Sequence, residues 1–217
     1  MLCGGCVVVQ TMKVLKSVNE KEVVPVYMQS ARQHVILVPV THVGREEFYE
    51  ALKDSIAYWK GNGYRIYYEE IDSRATVDMD SLTRDTLIRK VRYISGGLPT
   101  REEYSKIGMF KAMNAVVQPE WEDLGVTESD INADVSVFDI IDEFERIHHP
   151  VNLDSCNLVT PRDAEYQCFH TGYDTAPLFI DYRNRHVVSL IESEGNDKIV
   201  VIYGKRHIDG IVEILVE

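Results

Sequence analysis

Two histidines follow strongly apolar runs near opposite ends of the 217-residue chain. The first run is Val35-Ile36-Leu37-Val38-Pro39-Val40-Thr41-His42, and the second is Ile199-Val200-Val201-Ile202-Tyr203-Gly204-Lys205-Arg206-His207. A third stretch, Gly63-Tyr64-Arg65-Ile66-Tyr67-Tyr68, ends at Glu69-Glu70. Imidazole nitrogens and a carboxylate together make a hard-to-borderline divalent metal site. His42, His207 and one of Glu69 and Glu70 are therefore the candidate metal ligands. Side chains alternate across a strand, so Arg65, Tyr67 and Glu69 share one face and Glu70 the other.

The elements that must position these groups follow from the same runs. Short, β-branched apolar runs read as strands buried on both faces, as in a parallel sheet, where functional groups gather at the carboxyl ends. Between the first and third runs, Phe48, Leu52, Ile56 and Trp59 recur at helical spacing over about 46–60. Gly61-Asn62-Gly63 stops that helix, and strand, helix and strand form one βαβ unit. The middle of the chain, about 77–175, reads as mostly helical. Leu82, Leu87, Val91 and Ile94 mark one helix ended by Gly96-Gly97-Leu98-Pro99, and Thr100 with Glu103 reads as a capping box. Ser136 to Arg146 carries Val137, Ile140, Ile141 and Phe144 on one face. The segment 157–173 is poorly periodic and reads as loop. Residues 176–192 are helical, and a closing helix runs from Ile208 to Val216. The expected fold is α/β, with a mostly parallel central sheet, strand–helix units at both ends and a helical middle. Residues 1–33 form an N-terminal segment and 34–217 the domain.

Composition excludes several classes. An apolar fraction of 45% and a charged fraction of 27% are ordinary for a globular chain. A formal charge of −12 argues against nucleic acid as a partner. Arg84, Arg89, Lys90 and Arg92 cluster at helical spacing among acids and read as a solvated face. No run reaches the length of a transmembrane helix, so a soluble domain is expected. Met1-Leu2-Cys3-Gly4-Gly5-Cys6 is too short for a signal peptide, yet its Gly-Gly-Cys is similar to the end of a lipoprotein signal. An extracytoplasmic lipoprotein anchored at Cys6 and a cytoplasmic protein both stay open. Cys156 and Cys168 read as isolated thiols rather than a disulfide framework. His148-His149-Pro150 reads as a polar cap and loop, His34 and His170 lack partners at metal spacing, and His186 falls on a helix surface. Nucleophile-elbow, phosphate-loop, dinucleotide and His-Glu-x-x-His motifs do not occur.

These residues resemble the TraB/PrgY/GumN family, which shares a domain with the Tiki proteins. Its marks are two Gly-x-x-His motifs near opposite ends, a glutamate closing the second strand and an arginine in the helix before the last strand. Val40-Thr41-His42-Val43 resembles the first motif, with Pro39 in place of its glycine. Tyr67-Tyr68-Glu69 is similar to the strand ending in glutamate, and Asp181-Tyr182-Arg183-Asn184 to the Arg-Asn stretch. Tyr203-Gly204-Lys205-Arg206-His207-Ile208-Asp209-Gly210 matches the second motif with its following glycine, and Ala133-Asp134-Val135-Ser136 is similar to the family's middle. The resemblance implies an erythromycin esterase/ChaN-like fold. It implies a metal-dependent peptidase on a peptide or small-molecule substrate, with manganese or cobalt favoured and zinc an option. In that reading Glu69, chosen on the resemblance over the secondary candidate Glu70, is a third ligand or the general base, and Arg183 stabilises an oxyanion or holds a substrate carboxylate. Asn184 and Gly204 are secondary site candidates. Two other roles stay open: a non-catalytic peptide or pheromone-binding regulator, and an iron- or haem-binding protein of the ChaN type. The sequence shows no dense Tyr/His pair to support the latter.

Overall fold

The computed structural model describes residues 16–30, 33–73, 76–97, 108–162, 164, 166–168, 172–193 and 195–216. The N-terminal cysteine motif, the Thr100/Glu103 capping box and His170 lie outside the described residues. The chain is α/β and forms two compact units. One comprises Met1–Tyr68, Pro99–Ile131 and Gly195–Ile208; the other comprises Glu69–Leu98, Asn132–Glu194 and Asp209–Glu217.

The first unit is built on the apolar runs. Its strands are β1 (Val26–Gln29), β2 (His34–Val40), β3 (Val43–Arg45), β4 (Arg65–Tyr68), β5 (Ala115–Val117) and β7 (Lys198–Gly204), with β6 (Ile131–Asn132) at the unit boundary. The main sheet is mixed, in the order β1-β2-β7-β4-β6. β1 runs antiparallel to β2, whereas β2 and β4 each pair in parallel with β7. The last strand in sequence thus lies between the two strands of the expected βαβ unit. Physically this suits the most apolar run: Ile199 to Tyr203 are all wholly buried, as a central strand requires. β3 and β5 make a separate antiparallel ribbon, so the middle of the chain is not purely helical.

Helix α1 spans Glu46–Gly61, with acids Glu46 and Glu47 in its first turn. Its buried face is Phe48, Tyr49, Leu52, Ile56 and Trp59. These side chains share one core with Ile36, Val38 and Val40 of β2, Val200 and Ile202 of β7, and Trp121 and Leu124. Val35 and Leu37 point to the opposite face of β2 and are buried as well, so this strand is apolar throughout for a reason. Pro39 interrupts it without breaking it. β1 covers β2 only as far as Leu37, so Pro39 lies where the strand has a partner on one side alone. A proline is tolerated at such an edge.

The second unit is helical. α2 spans Ser81–Ser95; its N-cap Asp80 accepts from the N–H groups of Leu82 and Thr83, and Gly96 ends it in the left-handed conformation. After α3 (Gly108–Ala112) of the first unit, α4 covers Val137–Ile147 behind a Ser136/Asp139 capping box. Val137, Ile140, Ile141 and Phe144 of α4 pack with Ile94, Val135, Val151 and Leu178. α5 is the short turn Ser155–Val159 in the segment otherwise expected to be loop. α6 (Arg183–Ser193) follows a π-helical segment, Pro177–Tyr182, and α7 spans Ile208–Val216. No helix among the described residues is long and apolar enough to cross a membrane.

Two sequence expectations are corrected in this unit. Cys156 and Cys168 are not isolated thiols: they are joined by a disulfide. The basic cluster of α2 is not a solvated face. Arg84 donates to the carbonyls of Thr76, Val77 and Met79; Arg89 to those of Asn157 and Thr160; Arg92 to those of Pro161 and Ala164. Lys90 pairs with Glu145 at 2.8 Å. A loop without ladder partners must satisfy its carbonyls somewhere, and guanidinium forks reach several at once.

Candidate functional site

In the first unit the two histidines stand at one end of the sheet. β2 and β7 are parallel neighbours with Val40 opposite Gly204, so His42 and His207 lie just past the same, carboxyl, ends. The ladder extends one step further, with the Lys205 N–H donating to the Val40 carbonyl at 2.8 Å. His207 closes a turn on Gly204, its N–H reaching the Gly204 carbonyl at 2.8 Å. Its ring is buried and meets the Tyr203 ring edge-on, centroids 4.9 Å apart. His42 is exposed, but its backbone is held firmly. Gln118 N–H donates to the His42 carbonyl at 2.9 Å, and Tyr49 Oη donates to the Thr41 carbonyl at 2.7 Å. Gly44 permits this approach, since a Cβ there would sit 3.3 Å from Tyr49 Oη.

In the second unit Glu69, Asp134 and Arg183 form one buried ionic cluster. Arg183 Nε and Nη2 grip Asp134 in a fork, at 2.8 Å to Oδ1 and 2.5 Å to Oδ2. The same Nη2 donates to Glu69 Oε1 at 2.5 Å, and Nη1 donates to the Phe179 carbonyl at 3.3 Å. The side chains of all three groups are less than a tenth exposed. Glu69, and not Glu70, faces the arginine: Glu70 is exposed, and its carbonyl accepts from Asn132 Nδ2 at 2.8 Å.

The π-helical turn explains how an arginine comes to face inward there. Across a uniform α-helix, residues five apart point in well-separated directions. Bonding from i to i+5 brings them onto one face, and Leu178 and Arg183 are both buried. From Arg183 onward the spacing is α-helical, with Val187 and Ile191 continuing the buried stripe. The neighbouring Asn184 is also buried, and it lies so close to Gly210 of α7 that a Cβ on Gly210 would overlap Asn184 Nδ2. The glycine after the second histidine motif therefore serves a close approach within the second unit.

Asp134 lies in the Ala133-Asp134-Val135-Ser136 segment, where the sequence assigns it no role. The signal in the sequence is an acid between two apolar residues, Ala133 and Val135; both are wholly buried, and an acid held there must be paired. The described residues contain no group of three or more His, Cys, Asp or Glu side chains arranged to hold a metal. Compared with protein-family models, with curated proteins and with solved structures, the chain finds no match.

Proposed function

We propose that this chain is a metal-dependent hydrolase acting on peptides, with His42 and His207 as the imidazole ligands of a divalent ion. The observation that carries this reading is the register of β2 and β7, which sets both histidines just past adjoining strand ends. Neutral imidazole suits manganese, cobalt or zinc. An ion bound there supplies Lewis acidity and a lowered pKa for water. The resemblance to the TraB/PrgY/GumN family agrees with these assignments.

Calorimetric titration with Mn²⁺, Co²⁺ and Zn²⁺, alongside turnover of unstructured peptides, tests the reading. His207→Ala is expected to abolish binding and turnover together. Absence of ion binding by the intact chain overturns the proposal; binding without turnover moves it to a peptide-binding regulator.

One observation favours a second reading, an iron- or haem-binding protein. Tyr173, His148 and His149 form a surface cluster in the second unit that the sequence did not reveal. His149 Nε2 lies 2.7 Å from Tyr173 Oη, and the His148 ring stacks on Tyr173 at 4.3 Å. Tyrosinate is a known axial ligand of haem iron. A Soret shift on adding haem, lost in Tyr173→Phe, supports this reading; no shift removes it.

A further inference from the structure

The Cys156–Cys168 bond closes a loop whose backbone is otherwise held by α2. Four carbonyls of that loop, those of Asn157, Thr160, Pro161 and Ala164, accept from Arg89 and Arg92. Arg92 also lies over the Tyr166 ring at 5.2 Å, and Tyr166 Oη donates to the buried Asn157 side chain at 2.7 Å. Gly97, just past the end of α2, has φ +73° and no room for a Cβ, because Tyr166 occupies that space. Arg162 reaches back to Asp85 of α2 at 3.2 Å. Among its described residues the loop has one short helical turn, Ser155–Val159, and these contacts and the covalent closure hold it. Each guanidinium–carbonyl contact is modest taken singly. The cross-link spans 12 residues and confines the chain near the cations even when those contacts open.

We propose that Cys156–Cys168 is a redox latch: oxidised, it keeps this loop on the basic face of α2; reduced, it releases the loop and uncovers Arg89 and Arg92. The co-reactant is a dithiol. Its thiolate attacks one sulfur of the bond, a mixed disulfide forms, and its second thiol resolves that intermediate. The S–S bond is replaced by two S–H groups on Cys156 and Cys168, and the reductant leaves as a disulfide carrying two fewer electrons and protons. Two cations that now serve carbonyls then face solvent, on a chain that is acidic overall. This inference is independent of the hydrolase reading.

The test uses the intact chain, oxidised and after treatment with dithiothreitol without denaturant. Tryptic cleavage after Arg162, whose side chain is half exposed, is expected to accelerate by about 100-fold on reduction, the opening penalty that a cross-link of this span imposes. Phenylglyoxal should modify Arg89 and Arg92 only in the reduced protein, while far-UV circular dichroism stays unchanged. Cys156→Ser should behave as the reduced protein in either buffer. If that variant does not fold, the comparison within the wild-type chain decides. Unchanged cleavage and arginine labelling after reduction overturn the latch. So does global unfolding on reduction, which makes the bond a structural staple, and so does alkylation of both thiols in unreduced protein.

Discussion

The strand ends of the first unit and the ionic cluster of the second hold polar groups in place by opposite means. His42 and His207 are placed by backbone: two parallel strands in register, a turn closed on Gly204, and carbonyls of Thr41 and His42 tied to Tyr49 and Gln118. Glu69, Asp134 and Arg183 are placed by one another, through charge-assisted bonds made in a buried setting. A backbone frame loses little when one side chain changes, because ladder bonds remain. An ionic cluster is interdependent, because removing one charge leaves the others desolvated and unmatched. The two regions should therefore respond very differently to single substitutions.

Arg183→Ala should have the largest effect. It strands two buried carboxylates and is expected to cost about 3–5 kcal/mol in urea unfolding. A loss below about 1 kcal/mol, the range of exposed pairs, would break the contrast between the regions. Glu69→Gln and Glu70→Gln sharpen it. The first removes a charged acceptor from Arg183 and should cost about 1.5–3 kcal/mol. The second alters an exposed side chain and should stay within about 0.5 kcal/mol. Equal effects would mean that the face of this strand end has been misassigned.

Gly210→Ala probes close packing in the second unit. Alanine improves helix propensity by about 1 kcal/mol, but its Cβ overlaps Asn184, an overpacking cost of about 1–3 kcal/mol. A net loss is expected, and the double variant Asn184→Ala/Gly210→Ala should lose less than the two single effects added together. Tyr49→Phe should cost less than any loss within the ionic cluster. It removes one bond to the Thr41 carbonyl, about 1 kcal/mol, and the amide exchange of Gln118, bonded to the His42 carbonyl, should stay slow because that bond survives. Fast exchange there would show that the strand end depends on Tyr49 alone.

The contrast also explains what could be read from the sequence. The elements of the first unit were legible because their residues repeat at the period of the structure they adopt. Phe48, Leu52, Ile56 and Trp59 all face one core, and the runs around Ile36 and Val200 are the strands expected of them. Sheet order was not legible, since nothing in a strand's own residues names its neighbour; β7 lies between β2 and β4 because of where apolar faces match. In the second unit the apolar face of α4 followed from local pattern. The π-helical turn did not, because Pro177–Tyr182 carries the same residue types as an ordinary helix start. Asp134, the carbonyl partners of Arg89 and Arg92, and the cysteine pair escaped for a common reason. Each contact depends on side chains whose direction only the packed chain defines, and all but the cysteine pair join residues far apart in sequence.

The central place of β7 has a consequence for synthesis on the ribosome. β2 and α1 emerge early, yet β2 can pair with β7 only when Lys198–Gly204 has been made. Until then the edges of β2 and β4 that pair with β7 stay open. Contacts between such distant segments close slowly. A chain stalled before Lys198–Gly204 therefore carries two unpaired strand edges, and such edges favour aggregation.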